Sequence, residues 1–474
     1  MKLKKVLATI LVATMSMSMI SGCGSTSAVS ESAKASDEST KATSGSTKAA
    51  SESATDKTTA SGSESSTQAG AKTDLSGTKI SFLNSKGEIQ TALEDMAKEF
   101  QKETGIEVEI QACGTGESPY TKITSAYNAG TAPTMAMLDT SDVISLAKQD
   151  ALDLSDQDWV KECASQVTKI DGKIYSFPFC IEGRGLIYNK TTIEKTLGTT
   201  FDPSKINSYD ALKSLLEQLQ AKGMAQPVVI SKEDWSLGAH QLGFIYDTFD
   251  GTTDGSAKVI GQLKAGSLKA ENYNRFNQFV DTFSLLMKYN INGKDPLGAI
   301  YDQDPTFLVD GKAAIWANGT WAWPNLKEAG AKTTDEYGFL PYVLGNDTTD
   351  FANTKMQASA TKQVMIDKVH TTKQQVAAAE EFLHWIVYTD EGQKMLVQNA
   401  AVVPASSNNK YQADDPLGKD MQAKMAAGNT FSSSFIAPSD HWKVLGASMQ
   451  KYLGGQSKKA DLAKDIDTYW TSQK

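Results

Sequence analysis

Four of the eight tryptophans in this 474-residue chain stand among polar or glycine-containing neighbours rather than on apolar stripes. Trp235 lies in Ser231-Lys-Glu-Asp-Trp-Ser236, just after an apolar run. Trp321 and Trp323 flank Ala322 in Asn318-Gly-Thr-Trp-Ala-Trp-Pro-Asn325, and Trp442 follows Asp440-His441 behind a serine-rich stretch. Polar groups occupy comparable settings: Asn84, Ser85, Lys86 and Glu88 after the first apolar strand, and Asp139, Thr140, Ser141 and Asp142 after another. Glu182 and Arg184 stand two residues apart in an extended segment, and therefore on one face of it. Glu117 and Tyr120 lie beside Gly114 and Gly116. An indole is a flat apolar plate, whereas carboxylates, amides and guanidinium groups make planar, directional hydrogen bonds. Plates combined with such edges suit a ligand with C–H faces and a rim of hydroxyls, as a sugar has; polyamine sites combine the same two ingredients. The remaining tryptophans, Trp159, Trp316, Trp385 and Trp470, fit helical or strand stripes and read as core.

No nucleophile or cofactor motif accompanies these residues. The chain has no GxSxG, no HExxH, no P-loop and no GxGxxG opening a helix. Two carboxylates brought together by a fold leave no spacing signature, so a secreted glycosidase stays open as an alternative. Only four His occur, and Cys113, Cys163 and Cys180 are an odd set without CxxC spacing. Neither a zinc site nor a disulfide framework is expected from that pattern, and no cofactor is implied.

The elements that would position these side chains follow from hydrophobic period. Lys79 to Leu83 reads as a strand, and Ile89 to Glu103 as an amphipathic helix with Ile89, Leu93, Met96, Ala97 and Phe100 on one stripe. Gly105 ends that helix, and Ile106, Val108 and Ile110 alternate as the next strand. Strand, helix, strand predicts a parallel sheet and an α/β fold. Thr121 to Asn128 and Val143 to Gln149 read as further helices around a strand at Thr134 to Leu138. After a turn at Asp171-Gly172-Lys173, Gly183 and Gly185 interrupt a long apolar extended run, which suits a strand that bends between domains or approaches a ligand. A second α/β block follows, with a helix at Tyr209 to Lys222 and a strand at Pro227 to Ile230. Later come a helix at Asn274 to Tyr289, a strand at Ala313 to Trp316, a helix from about Gln374 to Thr389 and a last one from about Asp461.

The N-terminal end has another character. Met1 to Lys5 carries three lysines and leads into the apolar stretch Val6 to Ile20, too short to span a bilayer comfortably and typical of a secretory signal. It closes on Ile20-Ser-Gly-Cys23, which resembles the bacterial lipobox. Cys23 is then expected to carry diacylglycerol at the mature N-terminus. From Gly24 to about Thr73 the residues are nearly all small, polar or charged, so no core can form and a flexible tether of roughly 40 Å r.m.s. reach is expected. A formal charge of −9 disfavours nucleic acid or an anionic surface as partner.

In order along the chain, Phe100-Gln-Lys-Glu-Thr-Gly-Ile106, Gly130-Thr-Ala-Pro-Thr134, Ile181-Glu182 through Gly185-Leu-Ile-Tyr-Asn-Lys190, Gly311-Lys-Ala-Ala-Ile315, Asn318 to Asn325, and Glu381-Phe382 through Thr389-Asp-Glu-Gly392 resemble the extracellular solute-binding proteins of ABC importers, the group that includes the maltodextrin-binding proteins. The resemblance spans essentially all of 79–474. It implies a periplasmic-binding-protein-like fold, two α/β lobes joined by three crossings with the ligand in the cleft between them: 74–181 plus 360–404, and 182–359 plus 405–474. It further implies a monomer that captures a sugar or short oligosaccharide and hands it to the transmembrane subunits of a permease. Under it, Trp321 matches a sugar-stacking plate, Trp442 a second aromatic position and Glu182 a ligand-contacting glutamate. With Trp235, Arg184, Asp139, Asp142, Glu88, Asn84 and Trp323 these form the candidate ligand set. One departure stands out: maltose binders carry a tryptophan and a basic residue around the segment that here reads Leu138-Asp-Thr-Ser-Asp142, which puts maltose itself in doubt. The same fold also serves polyamines, peptides and organic acids, and adhesins or sensors that work without a permease.

Overall fold

The computed structural model describes residues 74–114 and 116–473. The signal-like segment 1–22, Cys23 and the polar stretch to 73 lie outside the described residues.

Strands β1 (Lys79–Asn84), β2 (Glu107–Ala112) and β3 (Met135–Asp139) are parallel, as the strand-helix-strand pattern predicts. Between and after them run helices α1 (Gln90–Thr104), α2 (Pro119–Ala129) and α3 (Thr140–Asp150). Helix α1 buries Leu93, Met96, Ala97 and Phe100 against the sheet and stops at Gly105, whose φ of 75° is a left-handed conformation that a glycine adopts without steric penalty. A two-stranded hairpin, β4 (Lys169–Ile170) with β5 (Lys173–Ile174), precedes the long strand β6 (Phe177–Asn189), every residue of which is buried. The remaining strands are β7 (Val228–Val229), β8 (Ile315–Gly319), β9 (Tyr337–Leu340), β10 (Met356–Ile366), β11 (Val403–Pro404) and β12 (Thr430–Phe431).

The main sheet runs β2-β1-β3-β10-β6-β8-β7, with β9 and β11 pairing with β6 and β12 with β10. It is mixed rather than parallel throughout, because β10 runs antiparallel to both β3 and β6, and β8 antiparallel to β6. The expected strand at Ala313 to Trp316 lies at Ile315–Gly319, which carries Asn318 and Gly319 into the sheet. Helices Thr253–Lys264, Pro416–Ala426 and His441–Leu453 fall in stretches that sequence reading leaves unassigned.

The apolar interior is divided. One core joins Phe82, Phe100, Phe177, Cys180, Phe382 and Trp385, and takes in the β10 residues Val364 and Ile366 as well as Val402. A neighbouring cluster holds Ile181, Ile187, Trp316, Ala358, Ala360 and Val403. The largest packs Leu186 and Tyr188 with Leu216, Phe279, Phe283 and Trp470. Membership changes between Cys180 and Ile181 on β6, beyond Ala360 on β10, and between Val402 and Val403. Strands β6 and β10 therefore pass through both regions. Each fully buried Leu or Phe in them contributes about 1.5–3 kcal/mol.

Candidate ligand-binding site

The ends of β1 and β3, the middle of β6, a bulge in β10 and the segments following β7 and β8 converge on a cavity of ≈ 600 Å³. That is the size range of sites for drug-sized molecules.

The cavity floor is charged. After β1 the chain turns under the control of Asn84: its Oδ1 accepts from the Lys86 backbone N–H, and its Nδ2 donates to the Lys86 carbonyl and to Gln90 Oε1. The turn aims the buried Lys86 ammonium at Glu182 Oε1, 2.5 Å away, and at Glu88 Oε1, 2.7 Å away. Burial alone would raise the Glu182 carboxyl, but the Lys86 and Lys362 ammonium groups outweigh it and hold it at about 2. Burial likewise opposes charge on Lys86, yet Glu182 and Glu88 keep it well above the usual lysine value. Glu182 also accepts from the Thr361 hydroxyl. Lys362 Nζ pairs with Asp139 Oδ1 at 2.7 Å. Pairing of β10 with β6 shifts register between Ser359 and Lys362, and this irregularity turns Thr361 and Lys362 toward the cavity.

Glu182 and Arg184 share one face of β6 because the other is filled. A Cβ at Gly183 would lie 2.0 Å from Met421 Cε, and one at Gly185 would lie 2.6 Å from the Leu340 carbonyl oxygen and from Met356 Cε. Only glycine fits under this packing, so the polar side chains take the open face. Arg184 pairs with Asp247, donates to the Ala239 carbonyl at 3.3 Å, and lies 4.9 Å from the Phe244 ring centre. Asp247 in turn accepts from Ser433 at 2.9 Å and Ser256 at 3.2 Å.

The opposing wall is aromatic. Trp235 opens the π-helical segment Ser236–Gln241 that carries His240. Trp321 sits in the 3-10 turn Thr320–Ala322 directly after β8. The ring centres of His240 and Trp321 are 4.3 Å apart, Trp235 and His240 5.4 Å, and Trp235 and Tyr301 5.0 Å in an edge-to-face contact. Burial, reinforced by Arg184, drives His240 down to about 3, so the imidazole is neutral. Gly238 and Gly446 let the Ser236–Gln241 segment press against helix His441–Leu453, where an added Cβ at Gly238 would meet the Trp442 carbonyl at 2.3 Å. That contact brings Trp442 to the cavity wall.

Of the sequence candidates, Trp321, Trp235, Trp442, Glu182, Arg184, Glu88, Asp139 and Asp142 line this one cavity. Asp142 is 5% exposed at the start of α3, and burial and the Asp139 charge push its carboxyl up to about 8. Two candidates stand elsewhere. Asn84 is fully buried beneath the floor and organises the turn that aims Lys86. Trp323 is 2% exposed in the Trp316 cluster, edge-on to Tyr337, because helix Trp323–Glu328 turns it inward. The lining also contains residues outside the candidate set, among them Lys362, Thr361, His240, Tyr301 and Phe435. Lys362 and Thr361 lie on a strand rich in Ala, Ser and Gln, too weak in β-formers to stand out. His240 carries one signal, rarity, being one of four His in the chain.

A charged floor facing an aromatic wall on an α/β scaffold has the chemistry to hold a small polar molecule with apolar faces. Residues 95–426 match the bacterial extracellular solute-binding protein family, and the chain belongs to it. A multiple sugar-binding protein of Streptococcus mutans is 26% identical over 291 residues, covering 57% of this chain and 64% of that protein's length. Among solved structures, a chitin oligosaccharide binding protein (TM-score 0.64, 17% identity) covers 83% of this chain and 98% of its own. The solute-binding protein RafE in complex with raffinose (0.64, 19%) covers 83% and 99%. A sugar transporter protein of Bacillus licheniformis in complex with stachyose (0.63, 17%) covers 84% and 100%. At these identities the structural likenesses establish the fold.

Proposed function

We propose that the chain is the ligand-capturing component of an ABC importer and that its ligand is a sugar or short oligosaccharide. The observation that carries this reading is the cavity itself, where Trp321, His240, Trp235 and Tyr301 face a floor of paired carboxylates and ammonium groups. Pyranose C–H faces pack on indole, and hydroxyl edges exchange hydrogen bonds with ionised partners. The sugar ligands named for the similar proteins support the same class.

In this reading the chain folds as two lobes, 74–181 plus 360–404 and 182–359 plus 405–474, that close on the ligand as β6 and β10 flex. The division of the apolar cores near Ile181, Ala360 and Val403 supports those boundaries. Cys23 anchors the mature protein in the membrane, the permease subunits receive the ligand, and the protein binds without turnover.

Calorimetric titration with raffinose, stachyose, maltotriose, xylotriose and chitin oligosaccharides tests the central claim. A dissociation constant on the order of micromolar, about −8 kcal/mol, is expected for at least one. Absence of saturable heat across the panel, or release of hydrolysis products, would overturn it. For the anchor, a Cys23→Ala protein should leave the membrane fraction.

A further inference from the structure

The cavity lining contains eight carboxylates and three cationic side chains, Lys86, Arg184 and Lys362. Each of the three is already committed. Lys86 is held between Glu182 at 2.5 Å and Glu88 at 2.7 Å, Lys362 by Asp139 at 2.7 Å, and Arg184 by Asp247. Glu117 is tied to Lys122, outside the lining, at 2.9 Å. Asp302 and Glu328 stand exposed at the rim with no salt bridge among the described residues. The two lining imidazoles supply no positive charge either, since burial lowers His240 and His441 alike to about 3.

The polar atoms still free are of a different kind. Ser85 Oγ, His240 Nδ1, Trp321 Nε1 and Arg184 Nε are buried in the lining with no hydrogen-bond partner in the protein, and Arg184 as a whole is 7% exposed. Three of these four belong to uncharged side chains, matched to hydroxyl, ether or amide groups. We propose that this cavity excludes anionic ligands, so that the solute it captures carries no carboxylate, sulfate or phosphate group.

The physical reason is exchange. An anion entering the site meets no unmatched positive charge: the Arg184 Nε donor is open, but that guanidinium is already neutralised by Asp247, and a full ion pair is gained only by displacing Glu182, Asp139 or Asp247 from its partner. A displaced Glu182 or Asp247 is then buried and unpaired, which is more unfavourable than the new contact is favourable; Asp139, whose side chain is 43% exposed, stays at the mouth of the site as a repelling charge. Meanwhile the surplus carboxylates repel the anion throughout its approach. A neutral ligand meets neither obstacle. The inference rests on the reading of this cavity as the ligand site and narrows the solute class within it.

The tryptophans provide a test that needs no knowledge of the ligand. Trp159, Trp316, Trp323, Trp385 and Trp470 are at most 2% exposed, and the other three, Trp235, Trp321 and Trp442, all line the cavity. Collisional quenching of tryptophan fluorescence therefore reports the cavity. Iodide and caesium are compared, each normalised to free N-acetyltryptophanamide, at about 1 M total salt, where the Debye length is about 3 Å and the overall charge of the chain is screened. Iodide should quench at least about threefold less efficiently than caesium, the effect of a local potential of order kT. In Glu182→Gln/Asp139→Asn, which frees Lys362 and leaves Lys86 with Glu88 alone, that preference should shrink or reverse. Equal or stronger quenching by iodide in the wild-type protein would overturn the proposal. So would calorimetry in which trigalacturonate binds more tightly than maltotriose, raffinose and triacetylchitotriose. If none of these saccharides binds, the sugar reading fails while the quenching ratio still decides the charge rule.

Discussion

Lys86 and Glu182, 96 residues apart in sequence, meet with Nζ 2.5 Å from Oε1 and tie the turn after β1 to the middle of β6. Removing one member of a buried pair strands the other. Lys86→Met should therefore destabilise the protein at pH 7 by about 3 kcal/mol, toward the low end of the range for broken buried pairs because Lys362 and Thr361 still serve Glu182. The effect has a pH signature. Glu182 is held at about 2, below its ordinary 4.5, so its stabilising contribution is present above pH 4.5 and lost as pH falls from there toward 2. Chemical denaturation at pH 7, 4 and 2.5 should show the gap between wild type and variant closing over that window. A gap that stays constant would mean that the pair is not the source of the loss.

Trp321 and Trp323, two positions apart, should separate binding from folding. Trp321 is half-buried in the cavity wall, and a sugar ring stacked on it gains roughly 1–3 kcal/mol. Trp321→Ala should weaken oligosaccharide binding about tenfold to a hundredfold with a small change in melting temperature. Trp323 is core, so Trp323→Ala should lose about 3–5 kcal/mol of stability while the folded fraction binds normally. Titration calorimetry and thermal unfolding, run on both variants, distinguish the two patterns.

Gly319 offers a subtler probe of the same plate. The Trp321 indole folds back over it, so that a Cβ at Gly319 would lie 2.1 Å from Cζ3 of the ring. Its φ of −136° is ordinary extended backbone that alanine tolerates. Gly319→Ala should displace the indole without straining the chain, weakening binding about tenfold while leaving unfolding cooperative. Unchanged affinity would show that the ring's present position is irrelevant to the ligand.

Asp142 works in the opposite sense to Glu182. Its carboxyl is raised to about 8 by burial and by Asp139, so the folded protein favours the protonated form and loses stability as pH rises from the ordinary 3.8 toward 8. Asp142→Asn mimics that form. It should raise the melting temperature by a few degrees at pH 8 and by almost nothing at pH 4, as followed by differential scanning fluorimetry. A shift independent of pH would point to packing rather than charge.

Strong local signals were legible in the sequence. The stripe on α1, the alternation in β2 and the glycine stop at Gly105 fix the first unit by themselves, and four of the tryptophans were correctly placed in the core by their stripes. Paired glycines around Glu182 and Arg184 pointed to the strand on which the site is built, because close approach demands them. What the sequence hid is long-range. Strand β10 enters the centre of the sheet antiparallel to β3 and β6, and nothing local in its Ala, Ser and Gln residues announces a central strand or the bulge that presents Lys362. Asn84 and Trp323 fall outside the cavity lining for a related reason: polarity and neighbours suggest exposure, whereas one residue more or less around a turn decides which way a side chain points.

The division of labour between the two walls has a practical consequence for engineering. The ionic floor joins the turn after β1 and the end of β3 to β6 and β10; β6 contributes to all three large cores and β10 to two of them, so redesign there would endanger the whole molecule. The aromatic side hangs on short helical segments, Ser236–Gln241, Thr320–Ala322 and the first turn of His441–Leu453. Those segments can be exchanged or reshaped one at a time, which makes the chain a chassis for biosensors whose analyte is reprogrammed from one side only.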